Sequence, residues 1–109
     1  MQDNAFTPFG PTYRVSGTPV QCLTTNNQNA TSYRVRNALA AVSFFSWAPP
    51  LANGNAPTIS TVTPVVGSAP VSNTVGMVAS TVEVFCLPPN AWFASGSGDA
   101  FEVTPGEGR

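Results

Sequence analysis

Two thiols and five carboxylates are the side chains of this 109-residue sequence whose types could carry a reaction. Cys22 lies in "VQCL" and Cys86 in "VFCL", and a cysteine acts as a nucleophile when a neighbouring base or cation activates it. The sequence contains no His and no Lys, so the familiar triads and dyads cannot be assembled. Each Cys sits within an apolar run, the setting of an inert core thiol, and free thiols are the expected state in a reducing compartment. A disulfide would require the strands of Cys22 and Cys86 to be neighbours.

Asp99 and Glu102 have the right types for the acid and the nucleophile of glycoside cleavage. Residues three apart on a strand point to opposite faces, however, and Asp99 follows Ser-Gly-Ser-Gly, the composition of a turn. Glu83 and Glu102 read as outward-facing, on a solvated face or in an ion pair with Arg34 or Arg36. Without His or a Cys cluster, the metal chemistry left open is an oxygen-ligand calcium site in a loop, and no EF-hand pattern is present. The expectation is a protein that is not an enzyme, with no catalytic, cofactor-binding or metal residues. Trp47 and Trp92 have the chemistry of sugar-stacking platforms, although buried core or contact roles are commoner for such rings. Asn29 opens "NAT", a glycosylation pattern that reads as a polar loop when no export signal precedes it.

The elements that must position these groups are strands. The sequence has 13 Val and 12 Thr, broken by 11 Pro and 9 Gly, a mixture unfit for long helices. One domain accommodates the length. "SYRVRN" alternates, with Tyr33 and Val35 on one face and Arg34 and Arg36 on the other. "AAVSFFSWAPP" is apolar on both faces, Val42 and Phe44 against Phe45 and Trp47, as for a strand buried on both sides. A short helix over 37–42 is the competing reading there. Residues 12–16 and 19–25 read as a first strand pair around Gly17, with Val20 and Leu23 available for a core. Pro64 and Pro70 place the stretch 59–81 at a sheet edge or in a long crossing loop. Val82, Val84 and Cys86 face one side of a strand, and Phe101 and Val103 point inward from another. "TPG" is expected to stop that last strand at Pro105, with Gly106 in a turn. The sum is an all-β antiparallel β-sandwich of seven or eight strands, a jelly roll being one form of it. Residues 1–11 make an extended N-terminal arm, 12–104 the sandwich and 105–109 a flexible tail. Tyr33, Val35, Val82, Val84, Phe101 and Val103 are the expected interior.

Charge narrows the classes of partner. Charged residues make up 8% of the chain, against about 25% in ordinary soluble domains. With a net charge of −1, copies have little repulsion to hold them apart. Four arginines are too few for phosphate neutralisation, so no nucleic-acid partner is expected. No apolar stretch approaches a membrane span.

"SYRVRN", "VEVFCLPPNAWFA" and "FEVTPGEGR" together resemble a group of small virion proteins of tailed bacteriophages. The resemblance covers residues 33–37 and 82–109, about a third of the chain. It implies a β-sandwich head protein in many copies, a capsid cement or decoration protein on the virion surface, made in the bacterial cytoplasm. Its partners would be the major capsid protein and itself, as a dimer or trimer. A head-fibre base or a carbohydrate-binding module on the virion, with a surface glycan as partner, is the alternative. Phe6, Phe9, Phe45, Trp47, Trp92, Glu107 and Arg109 are the candidate subunit or capsid contacts, with the arm as a clamp on a neighbour. No cofactor is implied.

Overall fold

The computed structural model describes residues 6–25, 30, 32–53, 55–59, 67, 73–96 and 98–107. Among them the chain forms nine short strands and no α-helix. These are β1 (Thr7–Pro8), β2 (Tyr13–Val15), β3 (Val20–Gln21), β4 (Ser32–Asn37), β5 (Ser43–Ala48), β6 (Thr74–Met77), β7 (Val82–Cys86), β8 (Trp92–Ser95) and β9 (Phe101–Glu107). Two antiparallel sheets pack as a sandwich. Sheet I runs β1-β9-β4-β7, with β2 also on β9, and sheet II runs β3-β8-β5-β6. Eight of the nine strands pair about the β5–β6 connection, β5 with β6, β4 with β7, β3 with β8 and β2 with β9, and β1 also lies on β9.

The core lies where the alternating positions of the two sheets meet. Tyr33 and Val35 come from β4, Phe101 and Val103 from β9, Phe45 from β5 and Phe93 from β8, none more than 1% exposed. Phe45 is the hub, with ring centroids 5.5 Å from Phe85, 5.8 Å from Phe93 and 5.4 Å from Phe101. Tilted and edge-on contacts of this kind favour ring pairs beyond their buried area. One buried polar group ties the sheets together at an end. The Asn37 amide donates to the carbonyls of Ala41, Met77 and Val78, and its oxygen accepts from the Leu39 N–H. The β4–β5 and β6–β7 connections are thus joined through one side chain.

Several expectations change. β2 and β3 do not pair with each other; Gly17 marks a corner where the chain passes from sheet I to sheet II. Leu23 is 45% exposed, its carbonyl held by the Tyr13 hydroxyl, so Val20 supplies the packing there. The helix reading of 37–42 gives way to a non-helical connection, and β5 begins at Ser43. Val42 precedes the strand and is 60% exposed. Val82 and Val84 face outward, because they pair with Arg36 and Arg34; Phe85, paired with Tyr33, faces the core instead. Glu83 lies opposite Val35, on the other face of the sheet from Glu102. Pro64 and Pro70 lie outside the described residues, and so does Asn29.

The last strand does not stop at Pro105. It continues to Glu107, with Pro105 and Gly106 buried opposite Tyr33 and Ser32. A proline is tolerated there because of which carbonyl its missing N–H would have met. Pro105 turns its own carbonyl toward β1, accepting from the Phe9 N–H at 2.8 Å. The Phe9 carbonyl, which an ordinary residue 105 would bond, is taken by the Thr25 N–H at 2.7 Å. Residues 105–107 therefore belong to the sheet and not to a tail. Residues 7–9 likewise lie on the molecule's own β9.

Candidate functional site

The sandwich has two outer faces, and register decides which side chains each turns outward. On sheet I, β4 turns Arg34 and Arg36 outward. Cross-strand pairing sets Arg14 beside Glu102, Glu102 beside Arg36, and Arg36 beside Val82. The next row sets Thr104 beside Arg34 and Arg34 beside Val84. Arg36 Nη1 donates to Glu102 Oε1 at 2.9 Å, the expected ion pair. Cys86 ends this face, exposed, while Cys22 is buried and its thiol is pushed up to about 12 by desolvation. Both thiols are free.

The edge of sheet I carries a bulge. Thr7 lies opposite Glu107 and Tyr13 opposite Val103, so six steps along the N-terminal segment match four along β9. Gly10 and Pro11 are the two extra residues, set between the Phe9–Pro105 bond and the 2.7 Å hydroxyl contact of Thr12 with Thr104. A groove of about 540 Å³ opens here, lined by Phe6, Pro8, Gly10, Pro11, Thr12, Arg34 and Thr104. Gly106 lets β1 lie close by: a Cβ there would meet the Phe6 ring at 2.6 Å and also the Thr7 carbonyl.

Sheet II turns outward Phe44, Ser46, Thr74, Gly76, Ala94, Ala48 and Trp92, with no charged side chain. Ser46 is 2% and Ala94 1% exposed despite this orientation, and the Ser46 and Thr74 hydroxyls meet at 2.8 Å. Gly76 leaves room for the Phe44 ring, which a Cβ would approach to 2.7 Å.

The sequence-derived contact residues do not gather at one place. Phe45 is sealed in the core, 1% exposed, and so serves packing and not a subunit contact. Trp47 packs against the same core, half-buried. Trp92 is half-buried on the outer face of sheet II, beside Gln21 and Ala48. Phe6 lines the groove, Phe9 is held on β9, and Glu107 is exposed at the end of that strand. Arg109 lies outside the described residues. Asp99 closes a turn, its carboxylate accepting from the Gly96 N–H at 3.1 Å, while Glu102 is engaged by Arg36. The residues that sequence reading passed over are Arg14 and the Gly10–Pro11 bulge. An outward position in "TYRVS" was the available signal for Arg14.

The segments that carry the resemblance are accounted for by folding. In "LPPNAWFA", Asn90 takes a left-handed backbone, φ 59°, at the turn into β8. Ala91 donates its N–H to the Tyr33 hydroxyl at 3.2 Å, and that hydroxyl donates to the Pro88 carbonyl at 2.9 Å. No known protein family, curated protein or solved structure matches this chain.

Proposed function

We propose that the chain is a structural protein of a tailed-bacteriophage virion, a cement or decoration protein that stabilises the head shell, with its sandwich wound as a jelly roll. The observation that carries the reading is the strand order. β2-β9-β4-β7 facing β3-β8-β5-β6, with mirror-paired strands, is the order two Greek keys produce when rolled together, an architecture used in viral shells among other roles. Surface composition supports it: few charges, and exposed apolar side chains at Val42, Val78 and Val82 around one end. The segments resembling virion proteins supply β4, β7, β8 and β9. A lattice component needs adhesion without turnover, and repeated modest contacts on a rigid shell add by avidity.

The test is to purify intact particles and look for this chain in them by mass spectrometry and in an electron-microscopy map. Many copies seated on the shell are expected, with light scattering showing a dimer or trimer in solution. Absence from mature particles overturns the reading. A head-fibre base would appear instead as a few copies at the foot of a projection. Glycan binding that disappears in Trp92→Ala with the fold intact would favour the carbohydrate module.

A further inference from the structure

The sequence has four arginines, and three of them share one sheet face. Arg14 and Arg36 flank Glu102 across β2, β9 and β4, and Arg34 lies one step further along β4, about 7 Å from Arg36. Among the described residues Arg36–Glu102 is the one ion pair. Three cations against one carboxylate leave the face at net +2, on a chain whose total is −1. Beside the arginines stand Val84 and the 42% exposed Val82. At the opposite margin the bulge opens its groove, lined by Arg34 as its charged group and by Phe6 among others.

We propose that the outer face of sheet I docks an acidic protein surface, with a carboxylate of that surface received by Arg34 in the groove. This rests on the reading of the chain as a particle component, which makes the shell protein the partner. Charge complementarity selects an acidic occupant, and the guanidinium fork accepts a carboxylate through two parallel bonds. An aromatic ring and arginines together, with the exposed Val82 beside them, fit the composition of a protein interface. Three arginines are too few for the phosphate neutralisation that holds nucleic acid. A second copy of the chain is a poor match. Its remaining described carboxylates, Glu83, Asp99 and Glu107, lie on three separate elements and form no acidic face.

The test adds purified chain back to particles assembled without it. Wild-type binding is expected to fall roughly tenfold or more between about 0.05 and about 0.5 M salt. Arg34→Glu combined with Arg36→Glu is expected to lose at least about tenfold at low salt, while Glu83→Gln, on the other face, binds as wild type. Circular dichroism establishes that the reversed variant is folded; if it is not, the wild-type salt series decides alone. Salt-insensitive binding, or full binding by the folded reversed variant, overturns the docking face and leaves the particle reading standing. Equal retention on plain duplex DNA at the same salt overturns the protein partner. Wild-type chain that fails to bind particles at all overturns the particle reading, and this surface with it.

Discussion

Arg34 on β4 and Ala94 on β8 both point away from the sandwich core, yet Arg34 is exposed and Ala94 is 1% exposed. The contrast extends across both sheets. Sheet I shows solvent three arginines and a glutamate; sheet II turns outward Phe44, Ser46, Ala48 and Trp92, with no charge. An outward strand position is therefore not the same as a wet one. On sheet I a long side chain extends freely into water. On sheet II small residues sit where little space remains, and the buried Ser46 hydroxyl meets that of Thr74.

Substitution at the paired positions puts the contrast at greatest risk. Ala94→Arg forces a charge and a long stem into a filled site, and is expected to cost about 4 kcal/mol or more, leaving little folded protein in expression trials. Arg34→Ala should stay within about 0.5 kcal/mol by urea denaturation. Equal effects at the two positions would abolish the distinction between the faces. Asn37→Ala comes next. It takes one donor from the Ala41, Met77 and Val78 carbonyls, of which Ala41 and Val78 keep the Ser43 and Thr81 hydroxyls, and it takes the acceptor from the Leu39 N–H, so about 2 kcal/mol should be lost in the same assay.

The two thiols sharpen the comparison through pH. In the unfolded chain Cys22 ionises near 9.0, whereas in the fold it is pushed up to about 12. Its burial is harmless below pH 9.0, and stability falls as pH climbs from there toward 12, since only the unfolded state can then release the proton. Burial raises the Tyr33 hydroxyl too, in the same direction. Urea midpoints on either side of pH 9.0 should show this decline, flattened in Cys22→Ala. In the native state a thiol reagent should modify exposed Cys86 promptly and reach Cys22 only through unfolding. The smallest effect is expected at Glu102→Gln, about 0.5 kcal/mol or less, because its ion pair with Arg36 is substantially exposed.

Sequence made some of this legible for definite reasons. β4 could be read because one of its faces is wet and the other dry, so residue type reports orientation. In β7 the same logic misled. Its valines occupy the exposed face of an edge strand, and only pairing with Arg34 and Arg36 reveals which way they point. Pro105 misled differently: the rule that proline ends a strand assumes a waiting acceptor, and here Thr25 has already taken it. The arginine face was illegible because Arg14 and Arg36 are brought together by β9, through register that no local pattern records. Arg34 and Arg36 could be placed on one face; their company could not.

The position of β9 carries a consequence for how the molecule is made. This strand lies between β4 and the β1–β2 edge, so sheet I lacks its middle until residues 101–107 arrive. On the ribosome, the earlier strands must wait as exposed, unclosed edges while the remainder is translated. Closure must then join segments roughly a hundred positions apart, the kind of distant pairing that folds slowly. A nascent chain stalled before Phe101 should therefore be open to proteases throughout, and should become resistant in a single step once residues 101–107 clear the exit tunnel.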